Sequence, residues 1–175
     1  MLLSCFWTFI LLHLAAAAET LWQDVDTAAR IARQVVNDAG IGTMHTLMDD
    51  KINPGFGGYP FGVMEYYSGK CSDVGDLLVF MSDLQMNIRN LHNGPNKVSF
   101  SIRALKNYNR TTPIEQPRLT LLGEIESVPH EKREDSLACY LPSHPEMKPM
   151  QSFHDFRPYM FRNAHKLDER VFVQQ

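Results

Sequence analysis

The chain is poor in the residue types that covalent and metal chemistry require. It has three cysteines in 175 residues, and Cys5 lies in an apolar opening run. Cys71 and Cys139 remain, which is too few for a disulfide framework. No G-x-S-x-G elbow, H-E-x-x-H helix or phosphate-binding P-loop occurs. The histidines beyond the opening run (His45, His92, His130, His144, His154 and His165) show neither an i, i+4 helical pair nor a Cys/His zinc spacing, so no metal site is expected. Cationic excess is also lacking: 17 Lys and Arg stand against 20 Asp and Glu, a net charge of −3. That balance gives no electrostatic reason to expect nucleic acid or an anionic membrane as a partner. There is no internal repeat and no low-complexity tract. After the first eighteen residues no stretch is apolar for long enough to span a bilayer.

What is present begins with that opening run, MLLSCFWTFILLHLAAAA. It reads as a secretory signal peptide over residues 1–18, with Ala16 and Ala18 forming a small-residue cleavage site. Cleavage leaves residues 19–175, enough for one domain with a real core. An apolar content of 44% fits a globular fold rather than disorder. Asn109-Arg110-Thr111 forms an N-x-T sequon in the loop NYNRTTPIEQP, so a secreted chain is expected to carry a glycan on Asn109. In that oxidising setting Cys71 and Cys139 could pair, although a thiol between Leu137 and Leu141 on a short helix could equally be ordinary core.

Leu21 to Ala39 places Trp22, Val25, Ala28, Ala29, Ala32, Val35 and Val36 at helical spacing, with Gly40 as a stop. Short strands follow: IGTMHTLM (41–48), FGVMEYYS (61–68), DLLVFMS (76–82), NKVSFSIRAL (96–105) and RLTLLGEIESV (118–128). DDKINPGFGG (49–58) is turn chemistry, and Gly123 falls in mid-strand, where a bulge or a barrel bend is expected. EKREDSLACYL (131–141) reads as a short helix ended by Pro142. Many short strands with helices at the margins predict a mainly β fold, a small antiparallel barrel with flanking helices.

The order of these pieces carries a resemblance. AARIARQVV leads into GIGTMHTLMDD, GGYPFG and LLVFMSDLQMNIRNLHNGPNKVSFSI, and the series closes with PRLTLLGEIESV, ACYLPSHPEM and FHDF. Over roughly residues 25 to 160 this resembles the FMN-binding split-barrel superfamily, which includes pyridoxamine phosphate oxidases and haem-degrading relatives. HPEM together with the secretory signal is most similar to the CREG branch of secreted glycoproteins. The resemblance implies a six-stranded split barrel that dimerises through a broad barrel face. In flavin-binding relatives, FMN lies at that interface, its phosphate held by basic and hydroxyl side chains.

By that resemblance the candidates for a cofactor phosphate here are Gly57, Gly58, Ser82 and Arg89. The provision is thin. FGVMEYYS has no Lys or Arg, and its one charge, Glu65, would repel a phosphate. A phosphate carrying nearly two charges usually needs charge-assisted partners or several free backbone N–H groups. The glycine turn therefore reads as a barrel corner, and FMN is not expected to bind. The expectation is a secreted or endolysosomal glycoprotein, lysosomal or vacuolar in one form, using the barrel for protein recognition, with no catalytic residues assigned. The alternative is an FMN- or haem-binding flavin-dependent oxidoreductase of the same superfamily. Expected partners are a second copy and a receptor or sorting protein. The tail RNAHKLDERVFVQQ (162–175) departs from the family. Its Lys166, Asp168, Glu169 and Arg170 suit solvent better than core, although Val171 to Val173 could add a short edge strand. Either the last strand is rebuilt, or it is incomplete and leaves an open sheet edge, and a monomer or weak dimer is expected.

Overall fold

A computed structural model describes residues 25–105, 112, 115–163 and 172–174. The expected signal peptide, the Asn109 sequon and residues 164–171 of the tail lie outside the described residues. Among the described residues three α-helices, α1 (Val25–Ala39), α2 (Met86–Asn93) and α3 (Arg133–Tyr140), accompany seven strands. The strands are β1 (Ile41–Leu47), β2 (Pro60–Ser68), β3 (Leu77–Ser82), β4 (Lys97–Arg103), β5 (Arg118–Ser127), β6 (Phe156–Asn163) and β7 (Phe172–Gln174).

All pairings are antiparallel, in the order β4-β1-β2-β3-β6-β5, and β4 also pairs with β5, so six strands close a barrel. The last barrel strand is FRPYMFRN, which begins ahead of the divergent tail and takes in its first residues, Arg162 and Asn163. This corrects the expectation of an incomplete final strand: Pro158 and the charges of this segment sit at strand positions that still alternate inward and outward. The tail adds β7, which pairs with Arg118–Thr120 of β5, beyond the stretch Gly123–Ser127 that β6 pairs. The open edge invoked for a weak dimer is thereby covered.

Period-two alternation fills the interior. Met44, Tyr67, Val79, Phe100 and Phe161 are fully buried, and the Phe100 ring lies edge-on to Tyr67 and Phe161 at 5.4 and 5.9 Å. The apolar stripe of α1 (Ala32, Val35, Val36) plugs one end, tied by the Tyr67 hydroxyl, which donates to the Val36 carbonyl at 2.8 Å. Gly40 ends that helix at φ +63°, the left-handed conformation glycine takes without strain. Gly123 is required for a different reason: a Cβ there would stand 2.1 Å from the Arg162 carbonyl oxygen of β6. At this point the pairing of β5 passes from β7 to β6.

A second apolar cluster lies outside the barrel, where Leu78 and Phe80 of β3 meet Tyr140 of α3. Arg133 fastens this cap. Its guanidinium donates to the Phe156 and Gln151 carbonyls at 2.6 and 3.1 Å and lies over the Phe80 ring at 5.3 Å. Cys71, in the β2–β3 turn, is joined to Cys139 on α3, with Cα atoms 5.9 Å apart. Cys139 is on the exposed side of the helix rather than in the core.

Candidate functional site

The glycine turn connects β1 to β2, and its backbone donors are already engaged. The N–H groups of Gly55 and Gly57 donate to the Asp50 carboxylate at 2.8 and 3.2 Å, and Gly58 N–H donates to the Met48 carbonyl at 2.9 Å. A Cβ on Gly57 would lie 2.6 Å from that of Asp50. The small residue there makes room for a carboxylate belonging to the chain itself. A phosphate would have to displace a like charge to reach these amides.

Ser82 ends β3 with its hydroxyl committed: it donates to Asp155 in a short hydrogen bond and accepts the Leu84 N–H at 3.0 Å. That bond holds the Asp155 carboxyl below its ordinary range. Arg89 projects from α2 into solvent, exposed and without an ion pair among the described residues. Gly57, Gly58, Ser82 and Arg89 thus lie on three different elements. The two glycines sit in one turn, while Ser82 is occupied by a carboxylate and Arg89 points away from the barrel.

The polar groups that do converge lie beneath α2. β2 pairs with β3 only at Tyr67↔Val79 and Ser68↔Leu78, then departs from it. Glu65 is on the inward face of β2 next to this split and is 6% exposed. Asn87 and Gln85, from the start of α2, approach its carboxylate, and burial pushes its pKa up to about 7 despite them. Behind Asn87 runs a directed chain. Asp49 N–H donates to Asn90 Oδ1 at 3.3 Å, Asn90 Nδ2 donates to Thr46 Oγ1 at 3.0 Å, and Thr46 Oγ1 donates to Asn87 Oδ1 at 3.0 Å. Asn87 Nδ2 and the Gln85 side chain both face Glu65, yet Nδ2, Glu65 Oε1 and Gln85 Oε1 are all buried without a hydrogen-bond partner. In the sequence Glu65 stands out only as a charge hostile to phosphate. Its burial was signalled by the alternation of FGVMEYYS, which places Val63, Glu65 and Tyr67 on one face.

The outer face of β2-β1-β4-β5 is flat and rich in small hydroxyls. Register aligns Met64, Thr43, Ser101 and Thr120 in one row and Gly62, His45, Ser99 and Leu122 in the next. His45 Nε2 and Ser101 Oγ are 3.1 Å apart, and a Cβ on Gly62 would meet the His45 ring at 2.8 Å. At one end of this face a groove of about 550 Å³ is lined by Thr43, Met64, Ser101, Arg103, Arg118 and Thr120 among others. Among the described residues no three His, Cys, Asp or Glu side chains are grouped to hold a metal, and no helix is long and apolar enough to cross a membrane.

The family model for the CREG β-barrel matches residues 23–165. The chain belongs to the CREG β-barrel family. No curated protein sequence matches it closely enough to count as a relative. Among solved structures this CREG chain is similar to a haem-binding protein from Mycobacterium smegmatis, at 22% identity and a TM-score of 0.65 over 85% of this chain and 57% of that one. It is similar to HutZ, the haem storage protein of Vibrio cholerae, at 14% identity and a TM-score of 0.62 over 82% and 92% of the two chains. It is also similar to a Clostridium acetobutylicum protein of the pyridoxinephosphate oxidase family, at 13% identity and a TM-score of 0.57 over 87% and 96%. The CREG chain spans little more than half of the mycobacterial protein. At these identities the likeness is one of fold, the split barrel.

Proposed function

We propose that this chain is a secreted or endolysosomal CREG glycoprotein, carrying a glycan on Asn109, whose split barrel recognises other proteins and does not hold FMN. The reading is carried by one observation: the places a cofactor phosphate would need are taken by the chain's own carboxylates. Asp50 occupies the glycine-turn amides, Asp155 occupies Ser82, and Glu65 is buried under α2. FMN therefore does not fit these residues. The partners are a second copy of the chain and a receptor or sorting protein. The flat outer face supports the first of these, since its hydroxyl rows are flanked by Met64 and Leu122, which are 65% and 49% exposed.

The test is the visible spectrum of the purified chain after incubation with FMN and desalting, with haemin in a parallel arm. Neither chromophore should be retained. A stoichiometric flavin band would overturn the reading. A retained Soret band would favour the second reading, a haem-binding or oxidoreductase member of the superfamily. That second reading draws on the groove with Arg103 and Arg118, placed directly opposite each other on β4 and β5, where cations suit the acidic groups of a porphyrin.

A further inference from the structure

The buried polar cluster under α2 is incompletely paired, with the Asn87 Nδ2 and Tyr140 hydroxyl donors unspent and the Glu65 and Gln85 oxygens unanswered. Glu65 Oε1 and Gln85 Oε1 are acceptors without donors, and the Tyr140 hydroxyl, from α3, is buried without a partner as well. Unpaired buried groups each cost free energy, and a charged one costs most. Among the described residues no cation answers the carboxylate. Across from Glu65 on β1 is Gly42, with no side chain; α2 offers Asn87 and Gln85, both neutral, while its Arg89 is turned to solvent. From α3 comes Tyr140, whose phenol is held un-ionised by burial and then by the Glu65 charge. Beyond Tyr140 stand His144, with its ring 4.8 Å away, Glu146, 3.4 Å from His144 Nδ1, and Tyr66. His144 Nε2 is committed to the Tyr67 carbonyl at 2.8 Å.

We propose that Glu65 is a proton-binding site built into the split of the barrel: once protonated, it donates to Gln85 Oε1 and locks β2 to the start of α2, and in losing the proton it loosens that junction. One proton supplies the donor that two stranded oxygens lack and removes the uncompensated charge. No bond other than O–H forms or breaks, and solvent is the proton source. The directed chain from Asp49 through Asn90, Thr46 and Asn87 orients its dipoles toward Glu65. It keeps the ionised state tolerable, so the barrel loosens at neutral pH without unfolding. The inference does not depend on the proposed function, because it concerns the fold in either reading.

The sign follows from linkage. A carboxyl bound more tightly to its proton in the folded chain stabilises the fold in acid, and that stabilisation is lost as pH rises through about 7. Between pH 8 and pH 5 the folded-to-unfolded ratio should rise on the order of 70-fold from this group alone. The experiment is chemical denaturation of the mature chain at pH 5 and pH 8, set beside Glu65→Gln, in which the amide donates at every pH. The wild type should show the rise and E65Q should lack it. An identical pH dependence in the two would overturn the proposal. A second measurement, a carbon-13 NMR titration of the Glu65 carboxyl in the wild type, decides independently if E65Q folds poorly. A midpoint near neutrality supports the site, and a midpoint in the ordinary carboxylate range near 4.5 refutes it.

Discussion

Removing the Cys71–Cys139 bridge is the perturbation whose size can be worked most directly from the chain. The bridge spans a sequence separation of 68 and encloses β3, α2, β4, β5 and part of α3. Closing a loop of that length removes entropy from the unfolded chain equivalent to about 4 kcal/mol at 25 °C. The folded side should change little. The α3 cap keeps its own attachments through Arg133 to the Phe156 and Gln151 carbonyls and through Tyr140 against Phe80. The loss therefore falls mainly on the unfolded state, and the folded structure should survive reduction. With a urea slope of about 2 kcal/mol per molar, the unfolding midpoint should drop by roughly 2 M. The assay is urea denaturation followed by far-ultraviolet circular dichroism, comparing the oxidised chain, the reduced chain and the Cys71→Ser/Cys139→Ser variant. The last two should coincide. If mass spectrometry shows the bridge formed while all three midpoints agree within about 0.3 M, the loop-entropy argument fails for this chain.

Two further substitutions test the barrel and its outer face. Gly123→Ala places a Cβ against the Arg162 carbonyl and should cost about 1–3 kcal/mol or more by the same urea assay; a neutral result would show that β5 and β6 do not approach as described. Met64→Asp puts a charge on the β2 side of the outer face, at the end of the row Met64, Thr43, Ser101 and Thr120. In sedimentation at low micromolar concentration the wild type should run as a dimer and the variant as a monomer. A wild type that is monomeric there would remove this face as a self-association surface.

Strands β1 to β5 and the helices α1 and α3 were legible because their signals are local, whereas β6 was not legible as a strand, its alternation being masked by Pro158 and two arginines. Alternation in NKVSFSIRAL and RLTLLGEIESV fixes which residues face inward, and β4 and β5 bury Val98, Phe100, Ile102, Leu119 and Leu121 accordingly. Gly40 and Gly123 were legible for the same reason, since each interrupts a regular pattern. α2 was not. MNIRNLHN is short and has polar residues at the buried positions Asn87 and Asn90. Its helicity comes from those amides bonding Thr46 and the Asp49 backbone, contacts about forty residues away that no periodicity reveals. The site failed in the same way. That the glycine turn is filled by Asp50 depends on a loop folding back on itself, and that Ser82 is taken by Asp155 depends on a partner 73 residues distant. Cys139 misled through its neighbours: Leu137 and Leu141 pack into the outer cluster, while the cysteine between them lies on the other side of a short helix.

The three carboxylates also bear on the proposal that the barrel does not take a flavin phosphate. A site that merely lacked a cation could regain one by a single substitution. Here the negative charges carry structure. Asp50 satisfies two turn amides, so Asp50→Lys would leave those donors unpaired at the same time as it supplied a positive charge. Asp155 receives the hydroxyl that ends β3, and its loss would free Ser82 but release the segment leading into β6. Glu65 lies where β2 parts from β3, and a lysine there would be as badly buried as the glutamate, with Tyr140, Asn87 and Gln85 still to be satisfied. Each gain in phosphate affinity would thus be set against a loss in the fold. The two terms are of similar size, about 1–3 kcal/mol for a charge-assisted hydrogen bond against as much for a stranded buried group. A barrel arranged in this way holds its shape with the charges that a flavin phosphate would have to displace.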